Sequence, residues 1–163
     1  MLTPMVSDNN ATLLMTSDVQ NLLDERGIKG EDLRQVLSYA ESGKQFHTQT
    51  GTGHRLACFT PSKVTYWVEY EPTAEGYRIF TAYSHRMKIL HGFNMPAKIE
   101  QTRTDWQCTA CTLPLELATV KLAYLDETFA VDIPACPACQ RVFVSEEQAV
   151  AKMALAERML EDK

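Results

Sequence analysis

The chain has 163 residues, of which 45% are apolar and 23% charged, as expected for one ordinary globular domain or two small ones. Its formal charge of -5 and its pI near 5.4 argue against broad nucleic-acid binding, which usually needs a basic patch. The sequence contains no run of 18 apolar residues to cross a membrane, and residues 1–10 do not resemble a signal peptide. These features predict a cytoplasmic, soluble protein.

Two short helices are predicted after a loose leader over residues 1–15. Ser17 is the predicted N-cap of the first helix, with Gln20 as its capping-box partner and Gly27 as its stop. The second helix begins near Gly30 and ends at Gly43. A helix-turn-helix DNA reader is the alternative, but the second helix is too acidic for direct base readout. A helical pair that packs on a sheet is favoured.

From His54 the apolar period changes from 3.6 to 2, which predicts a three-stranded antiparallel sheet. Val68 and Tyr70 are predicted on the face that covers the helices, and Trp67 on the other, where it forms either a partner surface or ordinary core. Residues 16–92 are therefore predicted to form a small α+β unit. The predicted strands are His54–Phe59, Val64–Tyr70 and Tyr77–Tyr83.

Residues 93–107 are predicted to be a linker, and residues 108–163 a second unit of three short strands and a final helix. The predicted strands cover residues 115–125, 128–133 and 141–144. Ser145 caps the final helix, with Gln148 as its capping-box partner. The apolar stripe of this helix is larger than a small ribbon can cover, so the helix is expected to pack on the first unit or on a second subunit as a homodimer.

Four of the five cysteines form two C-x2-C pairs, Cys108 with Cys111 and Cys136 with Cys139, separated by 24 residues. Two such loops facing each other supply four thiolates in a tetrahedron, which zinc prefers and iron also accepts. In a reducing compartment this spacing favours a metal site over disulfides or ordinary buried thiols. The pattern predicts a zinc-ribbon or rubredoxin-like module.

Several segments, among them residues 64–70, 82–87 and 136–139, resemble a family of small paired-CxxC proteins of anaerobic bacteria that carries the label "redox protein". The likeness covers nearly everything from about residue 30 onwards. It implies a cytoplasmic metal-binding accessory protein that serves an anaerobic redox or methyl-transfer gene cluster. It implies no substrate.

Zinc is favoured over iron because neither knuckle has glycine directly after its second cysteine; Thr112 and Gln140 stand there instead. Rubredoxin-like sites usually have glycine at that position, which admits backbone N–H bonds to sulfur. The label "redox protein" of the family that the chain resembles favours iron instead. Sequence alone leaves both metals open.

His85 and Arg86 follow the third predicted strand and form a candidate site for a phosphate or carboxylate, or for proton transfer. The structural alternative is that His85 bonds the loop backbone and Arg86 pairs with an acid such as Glu69. Cys58 is predicted to be a core residue rather than a reactive thiol. His47, His54 and His91 show no metal-ligand spacing, and no phosphate loop or nucleophile elbow occurs, so an enzyme is not favoured.

The sequence therefore predicts an α+β fold: a helix-plus-antiparallel-sheet unit, a four-cysteine ribbon and a C-terminal helix. The favoured function is an accessory or adaptor protein with structural zinc that acts through protein partners. A rubredoxin-like iron electron carrier is the alternative. An enzyme or anion binder centred on His85 and Arg86 is the second alternative.

Overall fold

The computed structural model describes residues 12–90 and 105–161. They form an α+β fold with two sheets, two N-terminal helices and a C-terminal helix, as the sequence predicts. No helix in these two stretches is long and apolar enough to span a membrane. In chain order the elements are β1 (Leu13–Leu14), α1 (Ser17–Arg26), α2 (Gly30–Gly43), β2 (His47–Gln49), β3 (Arg55–Phe59), β4 (Thr65–Pro72), β5 (Tyr77–His85), β6 (Lys88–Ile89), β7 (Trp106–Cys108), β8 (Leu113–Pro114), β9 (Glu116–Tyr124), β10 (Glu127–Ala135), a π-helical turn (Gln148–Met153) and α3 (Ala154–Glu161).

The two N-terminal helices lie where the sequence predicts them, with one change of cap. Thr16, not Ser17, caps α1: its hydroxyl oxygen accepts the backbone N–H of Val19 at 3.2 Å. Both residues are good caps, so the one-residue difference is set by the backbone, which is extended at Thr16. Gly27 ends α1 in the left-handed region at φ 70°.

The larger sheet has seven strands rather than three, in the order β1-β5-β4-β3-β2-β7-β8. The predicted meander is present as β3, β4 and β5. The added strands are only two or three residues long, too short to show a period of 2. Two of them lie in segments predicted to be irregular: β1 in the leader, and β7 at the end of the linker. Residues 93–104 of that linker lie outside the described part of the chain.

The larger sheet carries a hydrophobic core on each face. Val68 and Tyr70 of β4 pack with α1 and α2, as predicted. Trp67 points the other way and is 1% exposed, because the β9–β10 hairpin and the C-terminal helix cover that face. The aromatic side chains Trp67 and Tyr83 are therefore core, the second of the two alternatives that the sequence left open.

The second sheet has the order β10-β9-β6, so its third strand comes from the N-terminal half of the chain. β9 and β10 form the predicted hairpin, closed by the two-residue loop Leu125-Asp126. Residues 141–144 do not form the predicted third strand; Val142 makes a single bridge to Ala135. Lys88 and Ile89 take the place next to β9. The hairpin is thus joined to the N-terminal half through backbone hydrogen bonds.

The C-terminal helix packs on β5, one of the two arrangements predicted from its apolar stripe. Ser145 is its cap, with the side-chain oxygen accepting the Gln148 N–H at 3.1 Å. Ala149 and Met153 enter the core beside Trp67. The stretch Gln148–Met153 of this helix is π-helical rather than regular α-helix, and no local sequence pattern predicts that change.

Candidate metal centre

The two cysteine pairs face each other and form one compact cluster. The Sγ atoms of Cys108, Cys111, Cys136 and Cys139 all lie within 4.8 Å of one another. The Cys108 and Cys139 sulfurs are 3.7 Å apart. Zn–S bonds of about 2.3 Å in a regular tetrahedron place sulfurs roughly 3.8 Å apart. The four thiols therefore lie close enough together to hold a metal ion.

Each pair is folded as a tight knuckle closed by one backbone hydrogen bond. The N–H of Thr112 donates to the carbonyl of Cys108 at 2.8 Å, and the N–H of Gln140 to that of Cys136 at 2.9 Å. To close these turns, Thr112 and Gln140 adopt left-handed backbone with φ of 52° and 64°. Glycine adopts this region at little cost, but a β-branched residue such as Thr112 is strained there.

Backbone N–H groups reach the sulfurs in spite of the missing glycines. Cys108 accepts a hydrogen bond from the N–H of Cys111, and Cys139 accepts one from that of Arg141. The N–H of Ala138 donates to Cys136 Sγ at 3.4 Å. The sequence argument for zinc rested on the idea that residues other than glycine would hinder such bonds. That argument loses its force, since Thr112 and Gln140 take the required conformation.

The cluster is buried on one side and open on the other. Cys108 and Cys136 are buried, Cys111 is partly buried and Cys139 is exposed. Leu115, Trp106 and Phe143 pack around the buried pair. An ion held here would be covered by apolar side chains on one side and bordered by the exposed residue Cys139 on the other.

Close packing of four thiols has opposite effects on individual pKa values. Hydrogen bonds with Cys136 and Cys139 raise the pKa of Cys111 to about 12. Burial acts to raise the pKa of Cys139 as well, but hydrogen bonds from the Arg141 N–H and the neighbouring thiols outweigh it and lower that pKa. Four adjacent thiolates repel one another, so a bound cation is needed to ionise them together.

The centre lies where the two halves of the chain meet. Cys108 is the last residue of β7, directly opposite His47 of β2. Cys136 follows β10, and its N–H donates to the Arg141 carbonyl at 3.0 Å. An ion bound to all four sulfurs would therefore tie the larger sheet to the β9–β10 hairpin.

His85 is a core residue in this fold. It is 2% exposed, and its Nε2 accepts the indole N–H of Trp67 at 2.9 Å. Its Nδ1 N–H donates to the Met87 carbonyl at 2.9 Å, the loop-backbone bond that the sequence offered as the structural alternative. Burial lowers the pKa of His85 to about 4. These bonds fix the neutral tautomer with the proton on Nδ1.

Arg86 points to solvent and pairs with Glu161 at 2.6 Å, not with Glu69. Glu69 instead contacts His54 Nδ1 at 2.9 Å. His85 and Arg86 are not part of the cysteine cluster. The hydrogen bonds that each makes within the chain are enough to explain the position of its side chain. Ligand binding by this pair stays a hypothesis from the sequence.

Cys58 is separate from the cluster. It lies on β3, packs against the core on the Trp67 side of the sheet, and burial raises the pKa of its thiol to about 12. A thiol with this pKa is a weak nucleophile at neutral pH, in accord with the predicted core role.

His47 is a neighbour of the centre that the sequence did not single out. It is 1% exposed, and its Nε2 N–H donates to the Val142 carbonyl at 2.8 Å. Nδ1 has no hydrogen-bond partner among the described residues. The placement follows from pairing between β2 and β7, which no local pattern reveals. Of the other histidines, His91 lies outside the described residues.

Fold and site together define a class: an α+β protein with a four-cysteine centre that can hold a metal ion. Residues 104–163 match the model of a domain of unknown function, DUF7479. This match covers the knuckles, the hairpin and the C-terminal helix, but not the elements from β1 to β6. Neither the curated proteins nor the solved structures include one that matches the chain.

Proposed function

We propose that this chain is a metal-binding accessory protein whose four cysteines hold structural zinc. The observation that carries the proposal is the cluster of four Sγ atoms within 4.8 Å of one another. Four thiolates fill a tetrahedral zinc ion and leave no position for water or substrate. Such a site supports folding and offers no hydrolytic chemistry.

The position of the centre supports a structural role. Two of its proposed ligands, Cys108 and Cys136, are buried. Cys108 is the last residue of β7 in the larger sheet, and Cys136 directly follows β10 of the second sheet. Zinc bound there would hold β7 and the β9–β10 hairpin in their observed places. Binding energy at such a site is available as folding energy.

Protein partners are the proposed route by which the module acts. The C-terminal helix carries three exposed apolar side chains, Val150, Leu155 and Met159, the last 61% exposed. Apolar side chains at this level of exposure are common at contact surfaces, so this helix is the proposed place for a partner or for a second copy of the chain. The resemblance to paired-CxxC "redox proteins" supports a cytoplasmic role in anaerobic metabolism.

Rubredoxin-like electron transfer by iron is the second candidate. The N–H···S bonds to Cys108, Cys136 and Cys139 favour it, because such bonds tune the reduction potential of iron–thiolate centres. Cys139, the exposed residue of the cluster, also provides an edge from which an electron can leave. Ferrous and ferric iron would then alternate in the same cage.

Elemental analysis with a visible spectrum tests the two candidates on protein purified without oxygen and without added metal. One equivalent of zinc and no colour supports the structural role. One equivalent of iron with thiolate-to-iron charge-transfer bands supports the electron carrier instead.

Two variants test whether the cluster is the binding site. Cys108→Ser should lose the metal, whereas Cys58→Ser, a change of the same kind outside the cluster, should keep it. Retention of a full equivalent by Cys108→Ser, or failure of the native protein to bind either metal, would overturn the proposal.

A further inference from the structure

A cleft of about 1170 Å³ opens beside the second knuckle. Its walls come from the β3–β4 turn, from residues 86–89 around β6, from the β9–β10 turn and from residues 139–142. Protein sites for small molecules usually enclose about 300–1,000 Å³, so the cleft is large enough for an organic ligand. One of its lining residues is Cys139, so the cleft borders the metal centre proposed above.

The cleft is positively charged in a protein whose formal net charge is -5. Its described lining includes four cationic side chains, Lys63, Arg86, Lys88 and Arg141, and no carboxylate. Arg86 is already paired with Glu161. Lys63 and Lys88 are exposed and form no ion pair with any described residue. Two positive charges at the cleft are thus without a counter-charge in residues 12–90 and 105–161.

Arg141 supplies a directed donor. One of its terminal nitrogens donates to the Gln45 side-chain oxygen at 3.0 Å, which fixes the guanidinium. Its Nε is buried and has no hydrogen-bond partner within the described residues. Arg141 lines the cleft and is only partly buried, so its positive charge can attract an anionic head group there, and carboxylate or phosphate oxygens match the guanidinium geometry.

The rest of the lining is largely apolar. It includes Phe59, Val64, Met87, Ile89, Leu125 and Val142. Leu125 is 63% exposed and has left-handed backbone at φ 56°, an uncommon state for leucine. The turn thus holds an apolar side chain at the edge of the cleft at some conformational cost. An apolar lining with a few convergent charged groups is the usual composition of a ligand site.

We propose that this cleft binds a small amphipathic anion, an organic carboxylate or phosphate with an apolar body. The head group bonds to Arg141 and is attracted by Lys63 and Lys88, while the body lies on the apolar side chains. Charge decides the occupant: the lining complements an anion and repels a cation.

Calorimetric titration with decanoate and decyl phosphate below their micelle concentrations, and with decanol below its solubility limit, tests the proposal. The three probes share one apolar chain and differ in head group. Both anions should bind at least about tenfold more tightly than decanol, because the neutral hydroxyl of decanol cannot form a charge-assisted hydrogen bond. The tighter of the two anions identifies the preferred head group. Equal binding of decanol, or no binding of either anion, would overturn the proposal.

Substitutions locate the site. The double variant Lys63→Met/Lys88→Met and the single variant Arg141→Gln should each weaken anion binding by about tenfold. Lys121→Met removes an exposed lysine of β9 that does not line the cleft, and its affinity should equal that of the native protein. An equal loss in Lys121→Met and in the double variant would show that only the overall charge matters and would contradict the assignment. Native melting temperatures confirm that each variant is folded.

Discussion

His47 and Cys108 are directly opposite each other in the ladder between β2 and β7, so the first knuckle begins on a strand of the larger sheet. The loops and the sheet are therefore one continuous structure. Loss of an ion from the cysteines would therefore affect the N-terminal half through the β2–β7 hydrogen bonds as well as through side-chain packing.

Removal of the metal should destabilise β2 together with the knuckles. After chelation we expect faster amide hydrogen exchange at Thr50 and Thr109, whose N–H groups donate to the Asp105 and Phe46 carbonyls across the β2–β7 pairing, and little change at Val68 in the middle of β4. The physical reason is that β7 is short and loses its anchor when the thiolates lose their ion. Mass-spectrometric or NMR exchange with and without chelator measures this. Equal protection of these amides from hydrogen exchange with and without chelator would contradict the coupling between the metal centre and β2.

Thr112→Gly should stabilise the protein in spite of the flexibility of glycine. Thr112 is a β-branched residue at φ 52°, and relief of that strain is worth about 1 kcal/mol. Thr119→Gly is the matched control on β9, where extended backbone suits threonine and the same change should cost roughly 1 kcal/mol. Chemical denaturation of both metal-loaded variants measures whether each substitution raises or lowers the free energy of unfolding. Destabilisation of Thr112→Gly as large as that of the control would show that the positive φ carries no strain.

Stability should fall as the pH is lowered from 6.5 towards 4, in part because of His85. The folded pKa of His85 is about 4, below the ordinary value of 6.5, so the unfolded chain takes up the proton first. The contribution of neutral His85 is therefore complete above about pH 6.5 and is lost on acidification, by about 2 kcal/mol at pH 5.

The variant His85→Gln separates this effect from acid release of the metal. Both proteins lose metal in acid, but the variant has no imidazole to protonate, so its unfolding free energy should depend less steeply on pH. Denaturant titrations at pH 7 and pH 5 give the comparison. Parallel pH dependences of the two proteins would rule out His85 as a source of the acid sensitivity.

Glu157 should matter more than its position near the end of the last helix suggests. It is 7% exposed, and its carboxylate accepts the backbone N–H of Arg86 at 2.7 Å and that of Met87 at 2.9 Å. Glu157→Ala leaves both donors without this acceptor and should cost about 2 kcal/mol. Glu147→Ala, at an exposed position of the same helix, should change stability by less than about 0.5 kcal/mol. Equal effects in thermal unfolding would contradict the role of Glu157.

Local patterns were enough to predict the main helices, the β3–β5 meander and the four-cysteine set. Each of these is encoded within a short window: the stop at Gly27, the alternation from Val64 to Tyr70, and the C-x2-C spacing. The cap at Thr16 differed by one residue, within the usual uncertainty of helix ends.

The remaining features depend on contacts between distant segments. Lys88 and Ile89 form a strand because β9 lies beside them, and two residues carry no period of their own. His85 became a core residue because Trp67 and Met87 supply both of its hydrogen bonds. The conformation at Thr112 also could not be anticipated, since residue type alone argues against left-handed backbone there.

The pairing of β2 with β7 has a consequence for biosynthesis. The ribosome completes β2 long before it reaches Trp106–Cys108, so the nascent N-terminal half has an open sheet edge with unpaired backbone groups. Such edges are templates for pairing with another chain. Because the strand that covers this edge ends in a proposed metal ligand, the supply of metal to the growing cell should influence how much of the newly made protein escapes aggregation.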